Sequence, residues 1–262
     1  MLKKSLLCSL FFANILFASG SEVNVYSQRH YDSDKALFKK FEEKTGIKVN
    51  LITAKAEELV SRLSIEGANS PSDILITADI GNLYEAKERD LLQGVSSKTL
   101  EKNIPAHLRD EGGKWFAITK RARLFVYNPK TINPAHLDDY FSLTKPEFKG
   151  KVITRSSTNA YNKSLLASII AHHGKEKSLE FVKGLVNNFA RDPKGADKDQ
   201  IRAVASGEAD IAIVNSYYLG VMANSGDKVD EEIAKEVKVF FPAQKTTGAH
   251  INISGAGITK FA

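Results

Sequence analysis

Short apolar runs alternate with amphipathic, helix-like segments along most of the chain. "EVNVYS" alternates as a β-strand does, and "DSDKALFKKFEEKTG" follows it with Leu37, Phe38 and Phe41 on one helical face and a glycine stop. "KVNLITA" with "AEELVSRLSIEGA" and "SDILITAD" with "NLYEAKERDLL" repeat this order. Alternation of strand and helix with short connections predicts a parallel sheet covered by helices.

This alternation breaks once and then resumes. "WFAITKRARLFVYNP" has the pattern of two adjacent strands that end at a turn. A second round follows, with "KVITR" and "ADIAIVN" as strands around the helices "TNAYNKSLLASIIAHHG", "KEKSLEFVKGLVNNFA" and "KDQIRAVASG", and then the strand-like "VKVFFPA" and "GAHINISGAGITK". The pattern predicts an α/β fold of two lobes with a ligand cleft between them. We place the N-terminal lobe at residues 21–125 with 246–262 and the C-terminal lobe at residues 126–245.

The first twenty residues have the pattern of an export signal. Basic "MLKK", apolar "SLLCSLFFANILFA" and small "ASG" predict a cleavable signal peptide over residues 1–20. The apolar stretch is too short for a transmembrane helix, which needs about 20 apolar residues. Cys8 is the one cysteine of the chain and lies within this segment. The exported chain is therefore expected to form neither a disulfide nor a thiolate metal site.

Composition narrows the classes of protein further. A chain that is 42% hydrophobic and 26% charged is globular rather than disordered or collagen-like. The formal net charge of +6 is spread over mixed acidic and basic residues, without a basic run interleaved with aromatics. We therefore expect no nucleic-acid partner.

Tyrosines follow three of the predicted strands. "YSQRHYD" contains His30 and Tyr31, "TRSSTNAYN" contains Tyr161, and "VNSYYLG" contains Tyr217 and Tyr218. Side chains of adjacent helical residues point about 100° apart, so the paired tyrosines can face one cleft only where a strand turns into a helix. A lone tyrosine is usually an aromatic of the core or its rim. That interpretation is assigned to Tyr26, Tyr84, Tyr127 and Tyr140.

Grouped phenols favour a hard, highly charged cation. Phenolate is an anionic oxygen donor, and a trivalent metal can ionise it despite a free pKa near 10. Phenolates from Tyr161, Tyr217 and Tyr218 would balance the charge of ferric iron, and a neutral His30 nitrogen would add a fourth donor. Softer metals prefer cysteine, which the exported chain is predicted to lack. The cluster therefore favours Fe(III) over zinc or copper.

Three stretches resemble the periplasmic ferric iron-binding proteins of bacteria, which serve an iron ABC importer. They are "VYSQRHYDSDKALFKKFEEKTGIKV", "GADKDQIRAVASGEADIAIVNSYYLG" and "GAHINISGAGITK". The resemblance implies a two-lobed type II periplasmic binding protein, a Venus-flytrap or transferrin-like clamp that closes on Fe(III). It also implies a monomer in the periplasm that delivers iron to an ABC permease in the inner membrane. Members continue past "SGAGITK" with further helices, so the chain is expected to lack the C-terminal helices.

The resemblance also implies a ligand set. The motifs carry over His30, Tyr31, Tyr217 and Tyr218, and Tyr161 in "NAYN" resembles the additional tyrosine of members that bind iron without phosphate or carbonate. Four phenolates with a neutral histidine leave one negative charge in excess of the ferric ion, which requires cations nearby. The candidates for those cations are Arg123 and Arg29. Other members use a glutamate with an external anion, and Glu57 and Glu58 are the weaker candidates for that role.

Two rival functions stay open at this point. The same fold can bind a small anion or sugar acid, with the tyrosines as a stacking and hydrogen-bonding wall. A non-haem iron enzyme is the other, yet it needs open coordination positions, and five protein ligands leave little room. The sequence also lacks a recognisable pattern of two histidines and one carboxylate. We therefore expect a binding protein rather than an enzyme.

Overall fold

The computed structural model describes residues 21–262, so the predicted signal peptide at residues 1–20 lies outside the described residues. The strands are β1 Glu22–Ser27, β2 Lys48–Thr53, β3 Ile74–Thr77, β4 Phe116–Tyr127, β5 Val152–Ile153, β6 Ile211–Asn215, β7 Lys238–Phe240 and β8 Ile251–Ile258. The helices are α1 Asp32–Thr45, α2 Ala56–Glu66, α3 Ile80–Glu88, α4 Lys98–Asn103, α5 Ala160–Asn187, α6 Asp197–Ser206, α7 Tyr217–Ala223 and α8 Lys228–Glu236.

The strands form one eight-stranded mixed sheet. Its order is β2-β1-β3-β8-β4-β6-β5, and β7 pairs with β4 off this path. β1 is parallel to β2 and β3, and β5 is parallel to β6, as the strand-helix alternation predicts. β8 runs antiparallel to both β3 and β4.

β4 connects two halves of this sheet. Up to Ala122 it pairs with β8, and from Arg123 onward it pairs with β6 and β7. We call β1, β2, β3, β8 and residues 116–122 the first half, and residues 123–127 with β5, β6 and β7 the second half. The division into lobes at residue 125 stays a prediction.

The prediction of two strands in residues 115–129 is wrong, because β4 is one strand of 12 residues. Ile118, Thr119 and Lys120 are exposed and interrupt the buried pattern of the strand. A register shift between Ala117 and Thr119 lets pairing with β8 continue across this interruption. Backbone pairing thus persists where the side-chain pattern suggests a break.

The core of the second half has two faces. All five residues of β6 are buried, as is expected of a strand covered on both sides. Phe125 and Ile213 pack with one apolar cluster, whereas Leu124 and Val214 pack with another that includes residues of α6. The apolar run "IAIV" of β6 is therefore held between two apolar clusters. This fixes the position of the residues that follow β6 in the chain.

α5 is the longest helix and bends in its middle. Gly174 has φ 79° and ψ 171°, outside the helical region, so the segment consists of two helices that meet at this glycine. The predicted boundary between "ASIIAHHG" and "KEKSLEF" falls at the same residue. Within residues 21–262, none of the helices is both long enough and apolar enough to span a bilayer.

The glycines of β8 allow close approach of neighbouring chain, which gives a prediction for stability. A Cβ on Gly257 would lie 2.5 Å from the Lys114 carbonyl oxygen and 3.0 Å from a Leu92 methyl. We expect Gly257→Ala to lower the free energy of unfolding by about 1–3 kcal/mol, measured by urea denaturation. Gly220 in α7 is the control, since a Cβ there meets nothing within 4 Å. Gly220→Ala should raise stability by about 0.5–1 kcal/mol, and equal stabilities of the two variants would contradict the close-packing argument.

Candidate metal centre

Each of the four candidate tyrosines lies at the start of a helix. Tyr31 immediately precedes α1, which follows β1, and Tyr161 is the second residue of α5, which follows β5. Tyr217 and Tyr218 open α7 directly after β6. Ligands of open α/β sheets bind outside the carboxyl ends of strands, where the N–H groups of helix starts favour negative charge. The topology therefore places these phenols at the edge of the sheet where folds of this kind bind ligands.

The turn from β6 into α7 makes the adjacent tyrosines share one direction. Ser216 is fixed to β4, because its N–H donates to the Ala122 carbonyl at 2.9 Å and its Oγ accepts from the Ala122 N–H at 3.2 Å. The rings of Tyr217 and Tyr218 stack, with centroids 4.2 Å apart and planes 30° apart. Within a continuing helix, adjacent side chains would instead diverge by about 100°.

The four phenols interact with one another. Burial is the main cause that raises the pKa of Tyr217, and charge on Tyr161 and hydrogen bonding with Tyr218 and Tyr31 raise it further. Burial also raises the pKa of Tyr218 to about 12, against a hydrogen bond with Tyr217 that lowers it, while Tyr161 and Tyr31 add to the increase. A free phenol is already neutral at pH 7, and burial together with mutual repulsion makes ionisation of Tyr217 and Tyr218 less favourable still. A hard cation among the oxygens would remove that repulsion.

His30 lines the cleft that contains Tyr31 and Tyr161. The cleft has a volume of about 350 Å³, and Arg29 and Lys55 also border it. The His30 ring stacks on Tyr31, with centroids 5.4 Å apart. Its Nδ1 lies 3.4 Å from a backbone carbonyl oxygen. When Nδ1 carries the proton, Nε2 is the nitrogen that can bind a metal.

Three arginine side chains surround the Tyr161 ring. The guanidinium carbons of Arg121, Arg155 and Arg123 lie 4.9, 5.5 and 6.0 Å from its centroid. Of the three, only Arg123 is among the residues predicted from the sequence. The sequence does contain a signal for Arg121. It lies two residues before Arg123 on β4, and residues two apart on a strand point to the same face. Arg155 likewise ends the strand-like stretch "KVITR".

The two predicted cations have different carboxylate partners. Arg123 is 2% exposed, and its Nη1 donates to Asp197 Oδ1 at 2.9 Å. Arg29 donates from Nε and Nη2 to the two Asp34 oxygens at 3.0 and 2.7 Å. Its guanidinium carbon lies 5.2 Å from the Tyr31 ring centroid. A carboxylate therefore offsets the charge of each predicted arginine.

Glu57 and Glu58, the glutamates considered as alternative ligands, lie beside residues other than the candidate tyrosines. Glu58 pairs with Lys55 at 3.6 Å, and both side chains are exposed. Glu57 lines a separate cleft of about 500 Å³ together with Asp79 and Lys163. Across the described chain, no group of three or more His, Cys, Asp or Glu side chains could hold a metal ion.

A buried hydrogen-bond network lies beside these residues and joins the two halves of the sheet. Asp79 Oδ2 accepts from Arg121 Nη2 at 3.1 Å and from Asn252 Nδ2 at 2.9 Å. Asn252 also donates to Ser164 Oγ, which lies 2.9 Å from His250 Nε2. Burial lowers the pKa of His250 to about 4. His250 lies in the loop that precedes β8, and nothing in the sequence near it indicates its contact with Ser164.

Comparison with known proteins places the chain among solute-binding proteins. Residues 26–262 match the family model described as bacterial extracellular solute-binding protein. Iron uptake protein A1 of Synechocystis sp. is 49% identical over 241 residues, which are 92% of this chain and 67% of that protein. The chain thus spans about two thirds of the length of this relative.

Solved structures share the fold. A ferric binding protein from Campylobacter jejuni matches with a TM-score of 0.86 and 53% identity, covering 92% of this chain and 76% of that one. A Trichodesmium protein (IdiA, FutA), solved in complex with iron and citrate, matches with a TM-score of 0.88 and 47% identity, covering 92% and 77%. The fold is therefore the two-lobed α/β fold of type II periplasmic binding proteins, as predicted.

Proposed function

The chain belongs to the family of bacterial extracellular solute-binding proteins, and we propose that its solute is ferric iron. It binds Fe(III) in the cleft between its lobes and delivers the ion to an ABC permease in the inner membrane. The ligands in this proposal are His30, Tyr31, Tyr161, Tyr217 and Tyr218. Similar proteins include an iron uptake protein, an Fe(3+)-binding periplasmic protein and a ferric binding protein, which supports iron as the cargo.

One observation carries the proposal: phenols from three separate segments lie together. Tyr31 and Tyr161 line one cleft, Tyr217 stacks on Tyr218, and Tyr31 and Tyr161 add to the burial that raises the pKa of both paired tyrosines. In the metal-free protein the phenols stay protonated, because burial and mutual repulsion disfavour their ionised forms. A trivalent cation reverses this preference, since it attracts each phenolate and prefers hard oxygen donors. Neutral phenols could also stack on a sugar acid or donate to a small anion, and the ferric iron-binding relatives are what favour the metal.

Iron binding also explains why the ligands come from both halves of the sheet. Tyr31 follows β1 of the first half, whereas the other three tyrosines follow β5 and β6 of the second half. Only a closed arrangement of the lobes then completes the coordination shell, so the metal favours closure by differential binding. Release to the permease requires the reverse opening.

The direct test is to add ferric citrate to the protein lacking residues 1–20 and record the visible spectrum. Phenolate bound to Fe(III) gives a broad charge-transfer band, and we expect that band with one equivalent of iron. The rival function, a binding protein for a small anion or sugar acid, predicts a folded protein without the band. Circular dichroism of the same sample shows whether the chain is folded.

Acidification should weaken iron binding. Burial raises the pKa of Tyr217 and of Tyr218, so both phenols hold their protons at neutral pH and must lose them to bind Fe(III). Each proton released lowers the apparent affinity by about tenfold per pH unit of acidification. Equilibrium competition with citrate between pH 8 and pH 6, corrected for the protonation of citrate, measures the slope. An affinity that does not change with pH would contradict binding by phenolates.

Residues 1–20 direct export to the periplasm, where the protein acts as a monomer. It performs no catalysis, because five protein ligands leave little room for a substrate at the iron. Size-exclusion chromatography with light scattering, and assays for oxygen consumption with bound iron, test the monomeric state and the absence of turnover.

A further inference from the structure

A buried carboxylate joins two arginines near the tyrosines. Asp197 opens α6 and is 0% exposed. Its Oδ1 accepts from Arg123 Nη1 and from the Asn215 N–H, both at 2.9 Å, and its Oδ2 accepts from Arg155 Nη1 at 2.8 Å. A buried carboxylate with three donors is held in one position, and so are the arginines that it binds.

Arg123 extends this network to both segments that carry the tyrosines of the second half. Its Nη2 donates to Asn162 Oδ1 at 2.7 Å, and its Nη1 also donates to Asn215 Oδ1 at 3.2 Å. Asn162 is the neighbour of Tyr161, and Asn215 lies two residues before Tyr217. The network therefore fixes the two segments relative to each other.

Arg155 differs from Arg123 because it faces the phenols and reaches solvent. Its side chain is 21% exposed, against 2% for Arg123. Burial lowers the pKa of Arg155, but Asp197 raises it through a hydrogen bond and its charge, and Tyr218 and Tyr161 raise it further. The Arg155 guanidinium carbon also lies 5.5 Å from the Tyr161 ring centroid, so this side chain lies beside a candidate ligand as well as Asp197.

The charges around Tyr161 leave one cation in excess. Arg121 is paired with Asp79 at 3.1 Å, and Arg123 and Arg155 share the single carboxylate of Asp197. Three guanidinium groups thus face two carboxylates. Four phenolates and a neutral histidine around Fe(III) carry one negative charge, which this excess cation would offset.

We propose that Arg155, oriented by Asp197, is a positioning cation that stabilises the anionic iron shell through Tyr161 and Tyr218. This inference rests on the proposed function, since the charge it offsets exists only when iron is bound. Arg155 itself binds no metal. Its positive charge stabilises the ionised phenol oxygens of Tyr161 and Tyr218, which bind the iron directly in this proposal.

The test compares Arg155→Met and Arg155→Lys with the unchanged protein, each lacking residues 1–20. Affinity is measured by competition of Fe(III) between protein and citrate, and the position of the charge-transfer band is recorded. Arg155→Met should weaken binding by about tenfold or more and shift the band, because the phenolates lose a neighbouring positive charge. Arg155→Lys should retain binding within about threefold, since it keeps the charge.

The control is Arg202→Met, which removes an arginine of the same lobe that pairs with Asp230 and Asp199 away from the tyrosines. It should leave affinity and band unchanged. If Arg155→Met matches this control, or if both Arg155 variants lose affinity equally with an unchanged band, the positioning role is overturned while the proposed function stands. If the unchanged protein shows no band with ferric citrate, the proposed function fails, and this inference fails with it.

Discussion

Tyr217→Phe should lose Fe(III) binding by at least about 100-fold and bleach most of the visible band. The Tyr217 ring stacks on Tyr218 with centroids 4.2 Å apart, and Tyr161, Tyr218 and Tyr31 add to the burial that raises the pKa of Tyr217. The variant removes one oxygen donor and one negative charge. Changes beside a metal ligand typically cost 10–100-fold in affinity, and loss of a ligand exceeds that.

The control for this variant is Tyr84→Phe. Tyr84 is 56% exposed on α3 and is not among the residues that line the clefts described above. Its variant should bind iron as the unchanged protein does. Equal binding by the Tyr217 and Tyr84 variants would show that the paired tyrosines do not coordinate the metal.

Asp197→Ala should lower the free energy of unfolding by about 3–5 kcal/mol, the cost of leaving a buried charge without its partner. The side chain of Arg123 is 2% exposed and that of Asp197 is 0% exposed, so water cannot replace the lost carboxylate. Burial already lowers the pKa of Arg123, against the charge of Asp197 that raises it. Thermal unfolding of the metal-free variant should occur about 10 °C lower, given roughly 2–4 °C per kcal/mol for a chain of this size.

Glu208→Ala provides the comparison for Asp197→Ala. Glu208 pairs with Arg191 at 2.7 Å, but its side chain is 47% exposed. Exposed ion pairs contribute about 0–1 kcal/mol, so this variant should unfold within a few degrees of the unchanged protein. A similar small effect for Asp197→Ala would mean that the Arg123 charge is stabilised by its amide and carbonyl partners alone.

Local signals in the sequence were sufficient to predict most of the helices and strands and the position of the tyrosines at the ends of strands. The run "IAIVN" predicted a buried strand because burial on both faces requires a continuous apolar stretch, and β6 is buried throughout. The position of "SYY" directly after that strand predicted tyrosines at a strand-to-helix turn, which is where α7 begins. Their role as iron ligands remains a prediction.

Other features lacked a local signal. β4 was predicted as two strands because exposed residues interrupt its pattern, although pairing with β8 continues past them. His250 gave no sign of its contact with Ser164, which is 86 residues away. Asp197 is also far in sequence from its partners, 74 residues from Arg123 and 42 from Arg155. Sequence periodicity reports which face of an element is buried, but not which distant side chain it meets.

The sequence by itself therefore determined the α/β order, the apolar layers and the placement of tyrosines at the ends of strands. These follow from periodicity and turn chemistry, which act over a few residues. Only the tertiary structure decided that Tyr31 meets the phenols of the other half, and that Arg121, Arg123 and Arg155 surround Tyr161. Such groupings depend on the packing of separate segments, because charge acts through space and not along the chain.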